Sequence, residues 1–276
     1  MKIKEALSLA KIELKEKANE ALFILCELLQ KDRTWLFLNE NLEFDEREYF
    51  ELIRRFKEGE PYEYLFKKAD FYGLEFHIEK GVLIPRYDSE ILLEKLLELT
   101  HKEKLQNALE IGFGSGILSI ILAKNLGLKI KACDINEKAL KIALKNAKKH
   151  EVLIDFVLSD FEKLELRKGE FDLIFSNPPY IKNSYPLDKW VQNEPKNALL
   201  GGEKGYEILE KIIIFAYQKE AKFLACEFGY DQKEILSQIL DTYNFKAEFF
   251  KDENGFDRAF VAKRTYLAKI LKTKGK

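Results

Sequence analysis

The sequence predicts an α/β protein: a parallel sheet with helices on both faces, preceded by a small helical bundle. Three observations carry this expectation. Residues 1–57 contain neither Gly nor Pro and space their apolar side chains for helices. From about residue 88 onward, short apolar runs alternate with amphipathic helical patterns, as strand–helix–strand units require. Between one such run and the next helix lies Gly112-Phe113-Gly114-Ser115-Gly116, a tight turn of the kind that opens a helix after a strand.

In chain order, Ile3, Ala6, Leu7 and Ala10 form one face of a first helix, and Ala21–Leu25 belongs to a second that ends near Gln30. Trp35–Leu38 is a short apolar piece, and Asp45 is placed to cap a helix carrying Phe50, Leu52, Ile53 and Phe56. Gly59 and Pro61 stop the pattern, so residues 1–70 read as one helical domain. Phe71–Ile78 and Val82–Pro85 read as two strands around Glu79-Lys80-Gly81, a β-hairpin linker over residues 71–87. Residues 88–276 form the α/β domain. Its strands are expected at Asn107–Ile111, Lys129–Asp134, Ile154–Leu158, Phe171–Ser176 and Phe223–Glu227, with a closing pair at Lys246–Asp252 and Asp257–Lys263. Its helices are expected at Ser89–Leu99, Ile117–Asn125, Glu137–Lys149, Gly205–Lys219 and Gln232–Tyr243. The basic stretch Lys263–Lys276 reads as a helix end and frayed terminus.

Composition narrows the function classes. A net charge of −1 argues against a general electrostatic grip on nucleic acid, and the face carrying Lys141, Lys145, Lys148 and Lys149 reads as solvated. The three cysteines are far apart in apolar stretches, without a C-x-x-C spacing, and only three histidines are present. No metal site is therefore expected. Reduced thiols and the lack of a signal-peptide pattern place the chain in the cytoplasm. No apolar run is long enough to span a bilayer.

The candidate chemistry sits at strand ends. Asn177-Pro178-Pro179-Tyr180 follows a strand, where open α/β sheets bind ligands. Two prolines stiffen the loop and remove its N–H donors, and Asn177 is held extended by the proline after it. The Asn177 side-chain oxygen and the Pro178 carbonyl then form a row of acceptors beside an aromatic face, suited to a planar NH2 group. The Gly-rich turn lacks the Gly or Ala at 117 that a dinucleotide fingerprint needs; Ile117 stands there. Glu110 repels phosphate and attracts an ammonium group, which favours S-adenosylmethionine over NAD. Asp134 can accept from both ribose hydroxyls. Asp160 can accept from an adenine amino group, and Phe161 can pack on the adenine face. An alternative reading with the same loop is a nucleic-acid N6-adenine or N2-guanine methyltransferase.

With these motifs in view, nearly the whole chain resembles the PrmC/HemK family, which methylates a glutamine in peptide-chain release factors. The likeness rests on Asn177–Tyr180, on Glu60-Pro61 with Tyr64, on Phe71-Tyr72-Gly73, and on Leu83-Ile84-Pro85-Arg86 leading to Ser89-Glu90. Glu194-Pro195-Lys196-Asn197-Ala198-Leu199-Leu200-Gly201-Gly202, Glu227-Phe228-Gly229 with Gln232, and Asp257-Arg258 extend it. The chain departs from the usual pattern in having Glu110 for Asp, Phe161 for Trp and Lys196 for Arg. The resemblance implies a Rossmann-like seven-stranded class I methyltransferase sheet and an N-terminal domain that helps hold the release factor. It implies S-adenosyl-L-methionine as methyl donor, bound by Glu110, Gly112, Phe113, Gly114, Ser115, Gly116, Asp134, Asp160, Phe161 and Asn177. Asn177, Pro178, Pro179 and Tyr180 would receive the glutamine of a Gly-Gly-Gln motif. Class-1 release factors are the expected partners of a monomeric enzyme with no stable nucleic-acid or membrane partner. Arg86, Glu90 and Glu194 either line the cofactor cleft or tie the linker to the sheet, the second being favoured.

Overall fold

A computed structural model describes residues 1–265. The chain forms two compact units. One comprises Met1–Lys68 with the distant segment Leu187–Asn193, the other Ala69–Pro186 with Glu194 onward.

The first unit is helical: α1 (Ile3–Leu14), α2 (Ala18–Leu29), α3 (Arg33–Leu38), α4 (Arg47–Lys57) and α5 (Tyr62–Phe66). The expected apolar faces supply its core, with Ile3, Ala6 and Ala10 meeting Ala21, Ile24, Leu25, Ile53 and Phe56. Tyr49 is fully buried and donates its hydroxyl to the Ala21 carbonyl at 2.9 Å, so its polar end is satisfied within the core. Trp35–Leu38 is a helix because Asp32 caps it, accepting the Trp35 N–H at 2.7 Å. Asp45 accepts the Arg47 N–H at the start of α4, one residue before the cap position held by Glu46.

A linear reading contains no hint that Leu187–Asn193 joins this unit. Trp190 packs on Phe56 with ring centroids 5.7 Å apart, flanked by the ammonium groups of Lys17 and Lys189. Asn193 donates to the Gly59 carbonyl at 2.8 Å and Lys189 to that of Lys57 at 2.5 Å. Gly59 has φ +106°, and a Cβ there would stand 3.2–3.3 Å from Lys189 and Asn193, so this glycine both ends α4 and admits the strap. Trp190→Ala should therefore destabilise the helical unit by about 2 kcal/mol, read as a lower midpoint of its denaturant unfolding.

The second unit begins one residue into strand β1 (Lys68–Phe71), which Tyr72-Gly73 joins to β2 (Leu74–His77). Both turn residues have positive φ, 50° and 72°, the mirror-image turn that matches strand twist. The linker hairpin thus lies earlier than expected, and Val82–Pro85 is not a strand. The Ile84 N–H is taken by the Glu194 carboxylate at 3.0 Å instead of a strand partner, and Arg86 pairs with the same carboxylate. Glu194 therefore fastens this segment to the α/β unit, as favoured above. Apolar content had suggested a strand where burial under a loop was the real cause.

After α6 (Glu90–Lys102) come β3 (Asn107–Ile111), α7 (Ile117–Leu126), β4 (Lys129–Asp134), α8 (Glu137–Lys149), β5 (Asp155–Leu158) and β6 (Leu173–Ser176). A short pair, β7 (Ile181–Lys182) and β8 (Leu200–Gly202), is followed by α9 (Glu207–Gln218), β9 (Phe223–Glu227), α10 (Lys233–Thr242), β10 (Phe245–Lys251) and β11 (Asp257–Arg264). The seven-stranded sheet has the order β10-β11-β9-β6-β3-β4-β5. All neighbours are parallel except β11, which is antiparallel to both β9 and β10. Strands alternate between two cores. Leu109, Ile174 and Leu224 face α9 and α10, while Ala108, Leu173 and Ala225 face α6 and α7. Both faces being buried explains the near-continuous apolar runs. β11 extends through Arg264, so the first residues of the basic stretch are strand; the rest of that stretch lies outside the described residues. Among the described residues no helix is long and apolar enough to cross a membrane.

Candidate active site

The chain runs from β3 outward to β4 and β5, then returns to place β6 on the other side of β3. Reversal of strand order at β3/β6 opens a crevice at the carboxyl ends of these strands, where ligands bind in open α/β sheets. A cavity of about 250 Å³ lies there, lined by Gly112, Gly114, Asp134, Asp160, Phe161, Asn177, Pro178 and Pro179 among others. A second cavity of about 60 Å³ adjoins it and shares Gly112, Gly114 and Asn177; Glu110, Phe113, Ser115 and Ser89 also line it.

Thus eleven of the thirteen positions singled out in the sequence line one or both cavities, but their environments differ. Gly112 and Gly114 have φ +74° and +53°, and a Cβ at either would meet open space, so their backbone lies bare to the ligand side. Gly116 lines neither cavity. With φ +82°, it lies where a Cβ would press on Ala143, Phe156 and Ile120 at 3.1–3.3 Å, so its lack of a side chain serves helix packing. Phe113 is buried and meets Phe156 edge-on at 4.9 Å, bordering the small cavity from the core side.

Asp134 ends β4 with both oxygens engaged: Oδ2 accepts from Gly114 N–H and Oδ1 from Asn136 N–H, each at 2.9 Å. Each carboxylate oxygen can accept more than one bond, so capacity toward the cavity remains. Burial raises its pKa against the pull of these N–H groups. Asp160 accepts the Glu162 N–H at 3.0 Å, and Phe161 stands edge-on to Phe215 at 5.2 Å. Glu110 is almost fully buried, accepts from the Ser119 hydroxyl, and has its carboxyl pushed up to about 8 by burial.

The Asn177–Tyr180 loop is held from several sides. Asn177 Nδ2 donates to Ser89 Oγ at 2.9 Å. Tyr180 lines neither cavity. Its hydroxyl donates to Glu227 Oε1 at 2.8 Å, and its carbonyl accepts from Gln232 Nε2 at 2.9 Å. Gly201 lies against the same loop: a Cβ there would stand 2.2 Å from the Gly205 carbonyl oxygen, 2.5 Å from that of Pro179 and 2.9 Å from Tyr180 Cα. Residue-by-residue reading missed these supports. Ser89, Gly201, Glu227 and Gln232 stood in motifs already noted, but their partners lie tens of residues away in sequence.

Comparison with known proteins agrees with this architecture. Residues 5–66 match the PrmC N-terminal domain, and residues 86–193 match the methyltransferase small domain. The release factor glutamine methyltransferase of Aquifex aeolicus is 34% identical over 272 residues, covering 96% of each chain. That of Clostridium acetobutylicum is 34% identical over 282 residues, covering 96% of this chain and 99% of its own. Among solved structures, a methyltransferase from Pyrococcus furiosus superposes with a TM-score of 0.54 at 18% identity, covering 71% of this chain and 91% of that one, a likeness of fold. Two domain matches in the expected order, with full-length identity of this degree, leave one assignment: the chain belongs to the release factor glutamine methyltransferase family.

Proposed function

We propose that the protein transfers the methyl group of S-adenosylmethionine to the side-chain amide nitrogen (N5) of the glutamine in the Gly-Gly-Gln motif of class-1 peptide chain release factors. One observation supports this most. Asn177 spends its NH2 on Ser89, which turns its oxygen, the acceptor end, away from Ser89 and free for a substrate N–H.

The cavity residues fit the methyl donor. Bare glycine backbone at 112 and 114 admits close approach, and Asp134 offers a carboxylate for vicinal hydroxyls. Asp160 and Phe161 line the same cavity, which supports reading them as partners of an adenine edge and face, and Glu110 lines the adjoining one, which supports reading it as the partner of an ammonium group. When bound, S-adenosylmethionine supplies a methyl carbon activated by its sulfonium.

The chain's own residues address the weak point of the substrate, an amide nitrogen whose lone pair is delocalised. Asn177 Oδ1 and the Pro178 carbonyl each accept one N–H, which polarises the nitrogen and aims its lone pair. Alignment of this kind contributes up to about 7–11 kcal/mol, and acceptors fixed where positive charge develops add electrostatic stabilisation. Tyr180, clamped at hydroxyl and carbonyl, supplies a rigid wall beside them. No general base is needed before transfer, because the methylated nitrogen is strongly acidic and sheds its proton to water afterward.

Cofactor affinity should depend on pH through Glu110. Its carboxyl takes up a proton below about 8 in the free protein. A bound ammonium favours the carboxylate and lowers that pKa, so affinity rises with pH until it reaches the free value. Calorimetry with S-adenosylhomocysteine should show tighter binding and proton release from about pH 6 to about pH 8. Glu110→Gln should flatten that profile.

Acceptor choice is tested by offering tritiated S-adenosylmethionine with a release factor, duplex DNA and ribosomal RNA in one competition. Label in the release factor alone is expected. Label in nucleic acid, with none in the factor, would overturn the reading.

A further inference from the structure

An asparagine amide is useful to this reaction in one orientation only. Flipped by half a turn, Asn177 would offer a donor to a group that has only donors to give. Something must fix the orientation, and Ser89 Oγ does so directly by accepting from Nδ2 at 2.9 Å. Yet a serine hydroxyl is itself two-faced: it can donate as readily as accept. If its proton turned toward Asn177, the amide would flip to receive it.

Glu227 stands where it can decide this. It ends β9 and is fully buried. Its Oε1 accepts from the Tyr180 hydroxyl, while Oε2 is buried with no hydrogen-bond partner of its own among the described residues. An unsatisfied buried carboxylate oxygen is costly and calls for a donor. Burial raises the pKa of this carboxyl, while the neighbouring Ser89 and Tyr180 hydroxyls pull it the other way. Arg258, which pairs with Asp88 and Asp252, also acts on this carboxyl.

We propose that Glu227 and Ser89 are the positioning residues of the transfer loop. Glu227 Oε2 accepts a hydrogen bond from the Ser89 hydroxyl, which keeps Ser89 Oγ an acceptor for Asn177 Nδ2 and so points Asn177 Oδ1 at the substrate amide. Through Oε1 the same carboxyl holds the Tyr180 ring. One buried group thereby sets both the acceptor and the aromatic wall of the pocket. The inference rests on the acceptor role given to Asn177 above.

The relay is tested with Ser89→Ala, Ser89→Thr, Glu227→Gln and the double variant Ser89→Ala/Glu227→Gln, using S-adenosylmethionine and a release factor. Glu227→Gln keeps an acceptor for Tyr180 but presents NH2 to Ser89, reversing the relay. Ser89→Ala and Glu227→Gln should each lower kcat by about 10²-fold, the scale of a misplaced reacting group, with S-adenosylhomocysteine affinity unchanged. The double variant should be no worse than either single one, and Ser89→Thr should restore most of the rate. The side-chain NH2 resonances of Asn177, identified by their loss in Asn177→Ala, give a second readout. One proton should exchange slowly in the wild type and rapidly in Ser89→Ala and Glu227→Gln. Rates within about threefold of wild type in both single variants, additive losses in the double, or an unchanged Asn177 NH2 signal in Glu227→Gln would each overturn the relay. Should Glu227→Gln not fold, Ser89→Ala decides by the same two readouts. A wild type that leaves the release factor unmodified defeats the substrate assignment, and the resonance comparison still decides the relay.

Discussion

Asn177→Ala is expected to lower kcat for methyl transfer by about 10²–10³-fold while leaving cofactor affinity within a fewfold of wild type, the loss that follows when one preorganised polar contact to the transition state is removed. The side chain is half-buried at the end of β6, where it lines both cavities and donates to Ser89. Truncation therefore removes an acceptor and leaves Ser89 to reorganise, without opening the core. A fall in kcat with little change in KM marks an interaction realised in the transition state. Steady-state kinetics with a release factor, beside calorimetry of S-adenosylhomocysteine, separates this from a collapse of the cofactor cavity. A rate within tenfold of wild type would remove Asn177 from the chemistry.

Gly201→Ala should damage both the fold and the reaction. The added methyl would meet backbone at 2.2 Å on Gly205, 2.5 Å on Pro179 and 2.9 Å on Tyr180, and none of these atoms can swing aside as a side-chain end could. Overpacking of this severity costs about 3 kcal/mol. That corresponds to a melting temperature lower by about 10 °C in a domain of this size. Relief has to come from movement of β8 or of the Pro179–Tyr180 backbone, and the second route displaces the proposed acceptor row. Enzyme that remains folded should thus lose kcat more than its stability loss implies. Differential scanning calorimetry paired with rate measurements on the folded fraction checks both parts. A melting temperature equal to wild type would show that the close approach at Gly201 is not real.

What could be read from sequence alone divides by the range of the interactions involved. Strands β3, β4 and β9 and helix α8 begin and end where the apolar pattern places them, because a strand buried on both faces leaves a near-continuous apolar signature. The turn at residues 112–116 and the carboxylates Asp134 and Asp160 were legible from position, since a parallel sheet brings every strand end to one edge. Val82–Pro85 misled because its burial comes from the carboxylate of Glu194 and the segments around it, a partner 110 residues from Ile84. Trp190 and Asn193 pack on the helical unit across more than a hundred residues of chain, which no local pattern encodes. Gly116 sat within a glycine cluster and so resembled a ligand glycine, whereas its surroundings are Ala143 and Phe156. Tyr180 was legible as an aromatic of the loop, but its ties to Glu227 and Gln232 depend on β6 and β9 lying side by side.

The atom that receives the methyl group decides the proposed function. Purified enzyme, S-adenosylmethionine and a class-1 release factor, followed by digestion and fragment mass spectrometry, locate it directly. One added methyl is expected on the side-chain nitrogen of the Gly-Gly-Gln glutamine, appearing about 10²–10³-fold more slowly when Asn177→Ala replaces the wild type. A methyl on any other residue of the factor, or a modified nucleobase with the glutamine untouched, would contradict it.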